Sequence, residues 1–198
     1  LLEAVRQTGK PIVLSTGASY LWEVERALDW LNGSDVTVLA CTLHYPAKVF
    51  EANMARMLTL RNLCHKVGYS DHTPGAAGIA AARILGACMV EKHFTITPEL
   101  GVGDHAFAVT PEQLEAIEWD LPDHVVDEYR GDPAVEPKPW EMAARRKARR
   151  SVVAAKAITT GHRLGWDDLA FLRPAGGMEP WQAYDLIGKE ASHGYLPG

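Results

Sequence analysis

Two polar strand ends constrain this chain more than any other feature. Gly68-Tyr69-Ser70-Asp71-His72-Thr73 and Val90-Glu91-Lys92-His93-Phe94-Thr95 each follow a short apolar run, and each carries a histidine near its end. The segment between them, from Pro74 to Ala87, is rich in Ala, Ile and Gly and reads as one helix. The two histidines are 21 residues apart, a separation that fits one strand–helix–strand unit. If the strands are parallel, both imidazoles reach the same rim of the sheet, where α/β proteins keep their chemistry.

The same pattern recurs towards the N-terminus. Leu1 to Thr8 reads as a helix stopped by Gly9, and Pro11 to Thr16 as a strand ended by Gly17. Leu21, Val24, Leu28 and Leu31 have helix spacing, broken by Asn32-Gly33. Val36 to Cys41 is the next strand, and Asn53 to Leu63 reads as a helix with Asn53 as its cap. Thr110-Pro111-Glu112-Gln113 starts another helix, with Thr110 as cap and Gln113 as the box residue. The strands are apolar up to their polar ends, as parallel strands covered on both faces should be. Four consecutive strand–helix units fit either an open sheet or half of a barrel. No GxGxxG or GxxxxGK follows any strand, which argues against a nucleotide site.

The character changes after Leu121. Gly131 to Pro139 holds three prolines and reads as a linker, followed by a basic run from Glu141 to Arg150. From Ser151 onward the segments suit small β elements. Three regions are therefore expected: 1–130, a linker over 131–144, and a small module over 145–198.

With 198 residues, 47% of them hydrophobic, the chain can build a real core. A net charge of −5 argues against nucleic acid as a partner. The basic run lacks interleaved aromatics and reads as a solvated face or an interdomain contact. Three cysteines without CxxC spacing do not form a disulfide scaffold and suit a reducing compartment. No stretch approaches 18 uncharged apolar residues, so no membrane span is expected.

Strand alternation sorts the polar ends. Ser70 and His72 share one face, as do Glu91 and His93; Asp71 and Lys92 take the opposite faces. Two neutral imidazoles on one rim suit an open divalent metal site, with positions left for water or substrate. Asp71, Glu91 and Asp104 are carboxylates that would support such a metal or bind substrate. The plainer reading, that the histidines cap strands, stays open from spacing alone. Ser15-Thr16-Gly17 could hold an anion or simply cap the next helix, and Tyr45 could orient a hydroxyl or pack beside Pro46. Cys41 reads as strand packing. The glycine-flanked Asp104-His105 pair suits either a ligand-closing loop or a plain turn.

Taken together, these segments resemble one family. Ser-Thr-Gly at 15–17, CTxxYP at 41–46, GYSDHT at 68–73, EKHFT at 91–95 and GxGDH at 101–105 are similar to motifs of the sialic acid synthases. RRSVVAAKAI at 149–158, FLRPAGG at 171–177 and YDLIGK at 184–189 resemble that family's small C-terminal domain. The resemblance implies an α/β fold: a (β/α)8 TIM barrel, of which only the fifth to eighth strand units are present, followed by a small β-rich antifreeze-like SAF domain that stops early. The strands near 12–16, 36–41, 67–70 and 88–91 would be those four.

The resemblance also implies the activity: metal-dependent condensation of phosphoenolpyruvate with an N-acylated aldose such as N-acetylmannosamine, giving a nonulosonic acid and phosphate. His72 and His93 resemble the metal ligands, for Mn2+ in the first instance, with Mg2+ or Co2+ as alternatives. Ser15 and Ser70 resemble the hydroxyls that bind phosphoenolpyruvate. Tyr45 and Asp104 resemble residues beside the acceptor sugar. Arg173 resembles an arginine that the small domain reaches into a neighbouring subunit, which implies a domain-swapped homodimer; the cysteine usage suits a cytoplasmic location. Leu43 stands where some members have asparagine, and the segment Ala106-Phe107-Ala108 lacks a serine seen in many relatives. Both departures bear on the acceptor. The alternatives are an inactive or assembly-only segment of such a synthase, and a barrel aldolase using Lys92 as a Schiff base.

Overall fold

The computed structural model describes residues 1–97 and 103–198. They form two compact units, Leu1–Glu141 and Met142–Gly198.

In the first unit, strand and helix alternate: α1 (Leu2–Gln7), β1 (Ile12–Ser15), α2 (Leu21–Trp30), β2 (Val36–Cys41), α3 (Arg56–Leu60), β3 (Val67–Asp71), α4 (Ala77–Ile84) and β4 (Val90–Lys92). The strands lie in the order β1-β2-β3-β4 and every pair is parallel, giving a curled half-barrel of four strands. Val38 pairs with Val67, and Ser70 with Glu91. Because each strand follows its neighbour through a helix, the strand ends that carry polar residues all face one rim.

One face of this sheet is the core. Val38, Ala40, Val67 and Tyr69 pack there with Val24 of α2, Met57 and Leu60 of α3, and Ala81 and Ala82 of α4. The small residues of α4 permit close approach: a Cβ on Gly78 would meet the Asp71 carboxylate at 2.4 Å. The Tyr69 hydroxyl satisfies itself by donating to the Ala52 carbonyl at 2.8 Å. The opposite face carries Val13 and Ser15, which are exposed, and Leu39, Cys41, Ser70 and Glu91.

Two short helices complete the unit, α5 (Pro111–Glu115) and α6 (Asp123–Arg130). Thr110 caps α5 as its sequence indicates, accepting from the Gln113 amide while Gln113 accepts from Thr110. Asn53, by contrast, is not a helix cap. Its φ is 49°, its amide nitrogen donates to Glu51 O, and its side-chain oxygen accepts from Asp132 N. The helix starts after Ala55 instead.

The proline-bearing stretch read as a linker is packed over 131–141. Val135 and Glu141 are buried, Thr59 donates to Pro133 O, and Arg56 donates to Ala134 O and Glu136 O.

The second unit opens with α7 (Met142–Ala148) and contains an antiparallel pair, β5 (Ser151–Ala154) with β6 (Leu169–Leu172). Its core is small: Ile158, Leu164 and Ala191, flanked by Ala154 and Leu186. Buried Asp168 compensates, accepting from Gly165 N at 2.8 Å, bonding His162 Nε2 at 2.9 Å and pairing with Lys156 Nζ at 3.0 Å.

Among the described residues, no helix is long and apolar enough to cross a membrane.

Candidate active site

Parallel pairing of β3 with β4 sets Ser70 beside Glu91, so the residues two further on, His72 and His93, emerge side by side beyond the strand ends. Their ring centroids are 5.4 Å apart. Ser70, Asp71, His72, Glu91, Lys92 and His93 line a cleft of about 180 Å3.

His72 is nearly buried, and its Nδ1 lies 2.7 Å from the Thr42 carbonyl oxygen. A carbonyl only accepts, so Nδ1 carries the proton and Nε2 keeps its lone pair free. Burial lowers the His72 pKa from its ordinary value; the Thr42 carbonyl opposes this and His93 adds to it. The ring is therefore held neutral and in one tautomer, the form a metal ligand needs. His93 lies 3.6 Å from the Asp104 carboxylate through its Nδ1.

Aromatic rings pack around the pair. Tyr45 lies 4.1 Å from His72 and 5.8 Å from His93, centroid to centroid. Phe107 lies 5.1 Å from His93 and 5.8 Å from Tyr45. The Tyr45 phenol is pushed up to about 12, first by burial, then by Cys41, Asp104 and Glu91. It is a hydrogen-bond donor across the whole physiological range. The Cys41 thiol is likewise pushed up to about 12, chiefly by burial, and lies 3.8 Å from His72 Nδ1. A thiol so protonated is packing rather than a nucleophile.

Tyr45, Ser70, His72, His93 and Asp104 are thus brought together. Ser15 lies on the same open face of the sheet, but its register partner is Leu39, one layer deeper than the Cys41–Ser70–Glu91 row. Arg173 belongs to the second unit, exposed just after β6. Gly101 and Val102 of the GxGDH motif lie outside the described residues.

Asp71 departs from the supporting role considered for it. It turns to the helix-covered face, accepts from Thr73 N and Thr73 Oγ1, and forms a buried ion pair with Lys92 at 2.8 Å. Lys92 also donates to the Thr73 carbonyl.

Glu91 is the carboxylate on the open face, and it accepts from the Ser70 hydroxyl at 2.7 Å. It belongs to the site beside Ser70, as strand alternation alone indicates. Phe107 and the Thr42 carbonyl have no such local signal.

Two neighbouring imidazoles, one of them with its Nε2 lone pair left available, fit an open divalent metal site. Among the described residues no group of three or more His, Cys, Asp or Glu side chains converges to hold a metal. The arrangement suits a metal that keeps positions open for oxygen ligands, not a closed structural site.

Comparison with known proteins places the chain in a family. Residues 1–123 match the model of the NeuB family. The chain is 34% identical to the N,N'-diacetyllegionaminic acid synthase of Campylobacter jejuni, over 98% of this chain and 59% of that protein. It is 33% identical to the pseudaminic acid synthase of Helicobacter pylori, over 97% of this chain and 57% of that protein. The spore coat polysaccharide biosynthesis protein spsE of Bacillus subtilis shares the fold, with a TM-score of 0.85 at 24% identity, covering 100% of this chain and 61% of the other. The half-barrel, its paired histidines and these matches define a member of the NeuB family, that of the sialic acid synthases. The chain spans less than two thirds of the length of these relatives.

Proposed function

We propose that this chain supplies the metal-bearing half of a nonulosonic acid synthase, which joins phosphoenolpyruvate to an N-acylated aldose and releases phosphate. The observation that carries the reading is the His72–His93 pair, with the Nδ1 proton of His72 fixed on the Thr42 carbonyl. The named relatives, which are synthases of legionaminic and pseudaminic acids, support the same class of acceptor.

In this reading His72, through its Nε2, and His93 would hold Mn2+, with Mg2+ or Co2+ as alternatives. The metal, when bound, supplies Lewis acidity for the aldehyde of the open-chain sugar. C3 of phosphoenolpyruvate forms the new carbon–carbon bond to that aldehyde carbon, water adds at C2, and the C2–O bond to phosphate breaks. Ser70, oriented by Glu91, and Ser15, on the same face, bind the phosphoenolpyruvate. Tyr45 stays protonated and donates to the acceptor sugar, and Asp104 accepts from its hydroxyls. Glu91 is placed to take or return a proton beside Ser70.

The reading extends to the whole assembly. β1 to β4 would be the fifth to eighth strands of a (β/α)8 barrel, since an open parallel half-barrel leaves two unpaired edges. The second unit would be an antiefreeze-like SAF domain, with Arg173 acting in a neighbouring subunit of a domain-swapped homodimer. All three cysteines are free, which suits a cytoplasmic enzyme.

The test is phosphate release from phosphoenolpyruvate with N-acetylmannosamine, its 6-phosphate or a diamino-dideoxy sugar, in the presence of Mn2+. Residues 1–198 by themselves should be inactive, and a polypeptide supplying the other four strand units should restore turnover. No phosphate release from the completed barrel with any of these acceptors would overturn the proposal.

A further inference from the structure

Glu141 is a fully buried carboxylate lying far in sequence from the histidine pair. Its Oε1 accepts from the backbone amides of Ala18 at 3.1 Å and Leu43 at 2.8 Å. Its Oε2 accepts from Arg56 Nη2 and from Lys138 N, both at 3.0 Å. Arg56 is itself buried and spends its other donors on Cys41 O, Ala134 O and Glu136 O. Four donors on one buried carboxylate make a satisfied and directional joint.

The two amides it holds are not arbitrary. Ala18 follows the Ser15-Thr16-Gly17 end of β1, and Leu43 lies between the end of β2 and Tyr45. Ala18 has a φ of 51°, a left-handed conformation that its Cβ disfavours. Asn53, with a φ of 49°, is gripped by the same segment through Asp132. Among the described residues these are the non-glycine positions of positive φ, and both are fastened by the 131–141 segment. Strained backbone persists where its surroundings over-determine it.

We propose that Glu141 is a positioning residue for the candidate site, holding the loops after β1 and β2 so that Ser15 and Tyr45 face the ligand. Its kinetic consequence rests on the synthase reading; the geometric claim does not. Glu141 makes no hydrogen bond to His72 or His93; it reaches the pair only through the backbone of Leu43, the residue after Thr42, whose carbonyl holds His72. Glutamine at this position would turn its NH2 group against two donors, either Arg56 and Lys138 or Ala18 and Leu43. The joint opens on one side in both orientations.

The experiment compares wild type with Glu141→Gln and the milder Glu141→Asp in the full-length protein. Amide hydrogen exchange should quicken at least tenfold in the segments 15–20 and 41–46, and stay unchanged at 67–73 and 90–95. KM for phosphoenolpyruvate should rise about tenfold, and Mn2+ affinity should change by less than that, since Glu141 touches His72 only through the Thr42–Leu43 backbone. Glu141→Asp keeps its charge facing Arg56 and should show the same pattern at smaller amplitude if Glu141→Gln does not fold. Exchange that is unchanged in both loops, or quickened uniformly over the unit, would overturn the proposal. So would a lowered melting temperature with KM unchanged in an active enzyme. Absence of synthase activity in wild type counts against the synthase reading, and the exchange pattern still decides the role of Glu141.

Discussion

The Nδ1 of His72 lies 2.7 Å from the carbonyl oxygen of Thr42, across two neighbouring parallel strands. That bond fixes which nitrogen of His72 is protonated and leaves the other with its lone pair, on a ring whose centroid is 5.4 Å from that of His93. The loop after β2 thereby orients a residue on β3, and the sheet itself preorganises the candidate metal site.

The first prediction concerns the pair. His72→Ala or His93→Ala in the assembled enzyme should weaken Mn2+ binding at least tenfold and abolish turnover. Burial keeps His72 neutral to a lower pH than an ordinary histidine. Because binding requires the neutral ring, affinity should hold from neutral pH down past the ordinary histidine range as far as His72 is concerned, and fall below it. Calorimetry across pH 5–8 tests this; unchanged affinity in both alanine variants would defeat the assignment.

A second prediction isolates Glu91. Glu91→Gln retains an oxygen for the Ser70 hydroxyl but removes the charge. It should leave Mn2+ affinity within about twofold and lower turnover by about a hundredfold, the scale of a lost acid–base group. It should also lower the Tyr45 pKa, since Glu91 is among the charges that raise it. Spectrophotometric titration of the phenol reads that shift directly. Full turnover in Glu91→Gln would remove it from the chemistry.

Much of this site was legible because parallel strands repeat with a period of two. The faces of Ser70, Glu91, His72 and His93 follow from alternation, and the same rule puts Lys92 against α4. What stayed hidden depends on contacts far apart in sequence. Glu141 sits immediately after a proline-rich stretch whose composition reads as a linker, yet its partner Arg56 comes from α3 and its other partners from the ends of β1 and β2. No local periodicity encodes such a joint. Asn53 was misleading for a related reason: cap chemistry and left-handed turn chemistry use the same residue types. Phe107, an ordinary apolar residue in a loop, gives no signal until it is seen against His93 and Tyr45.

The second unit should carry its own acid sensitivity. The Gly165 amide, His162 and Lys156 together hold the Asp168 carboxyl well below the usual carboxylate range. A lowered folded-state pKa contributes stability that is present above the unfolded value and lost as pH falls through the folded one. Denaturant melts of this unit should therefore weaken as pH drops from about 4 downward. Asp168→Asn should be less stable at pH 7 and lose most of that acid dependence. An unchanged midpoint in Asp168→Asn would show that the small core of Ile158, Leu164 and Ala191 is sufficient.

Lys92 and Asp71 separate the synthase reading from a Schiff-base aldolase. The ammonium is buried, 2.8 Å from the Asp71 carboxylate and donating to Thr73 O, on the face covered by α4. A Schiff-base lysine needs an amine open to substrate, and this one is buried and engaged by Asp71 and the Thr73 carbonyl. Borohydride reduction in the presence of a keto acid should leave Lys92 unlabelled in intact protein, and a covalent adduct there would reverse the assignment. The same geometry sets a stability prediction. Lys92→Met or Asp71→Asn leaves one member of a buried pair uncompensated and should cost about 3–5 kcal/mol. The double variant should cost less than the sum of the singles, because no lone charge remains. Additive costs in a double-mutant cycle would mean that the two side chains do not act as a pair.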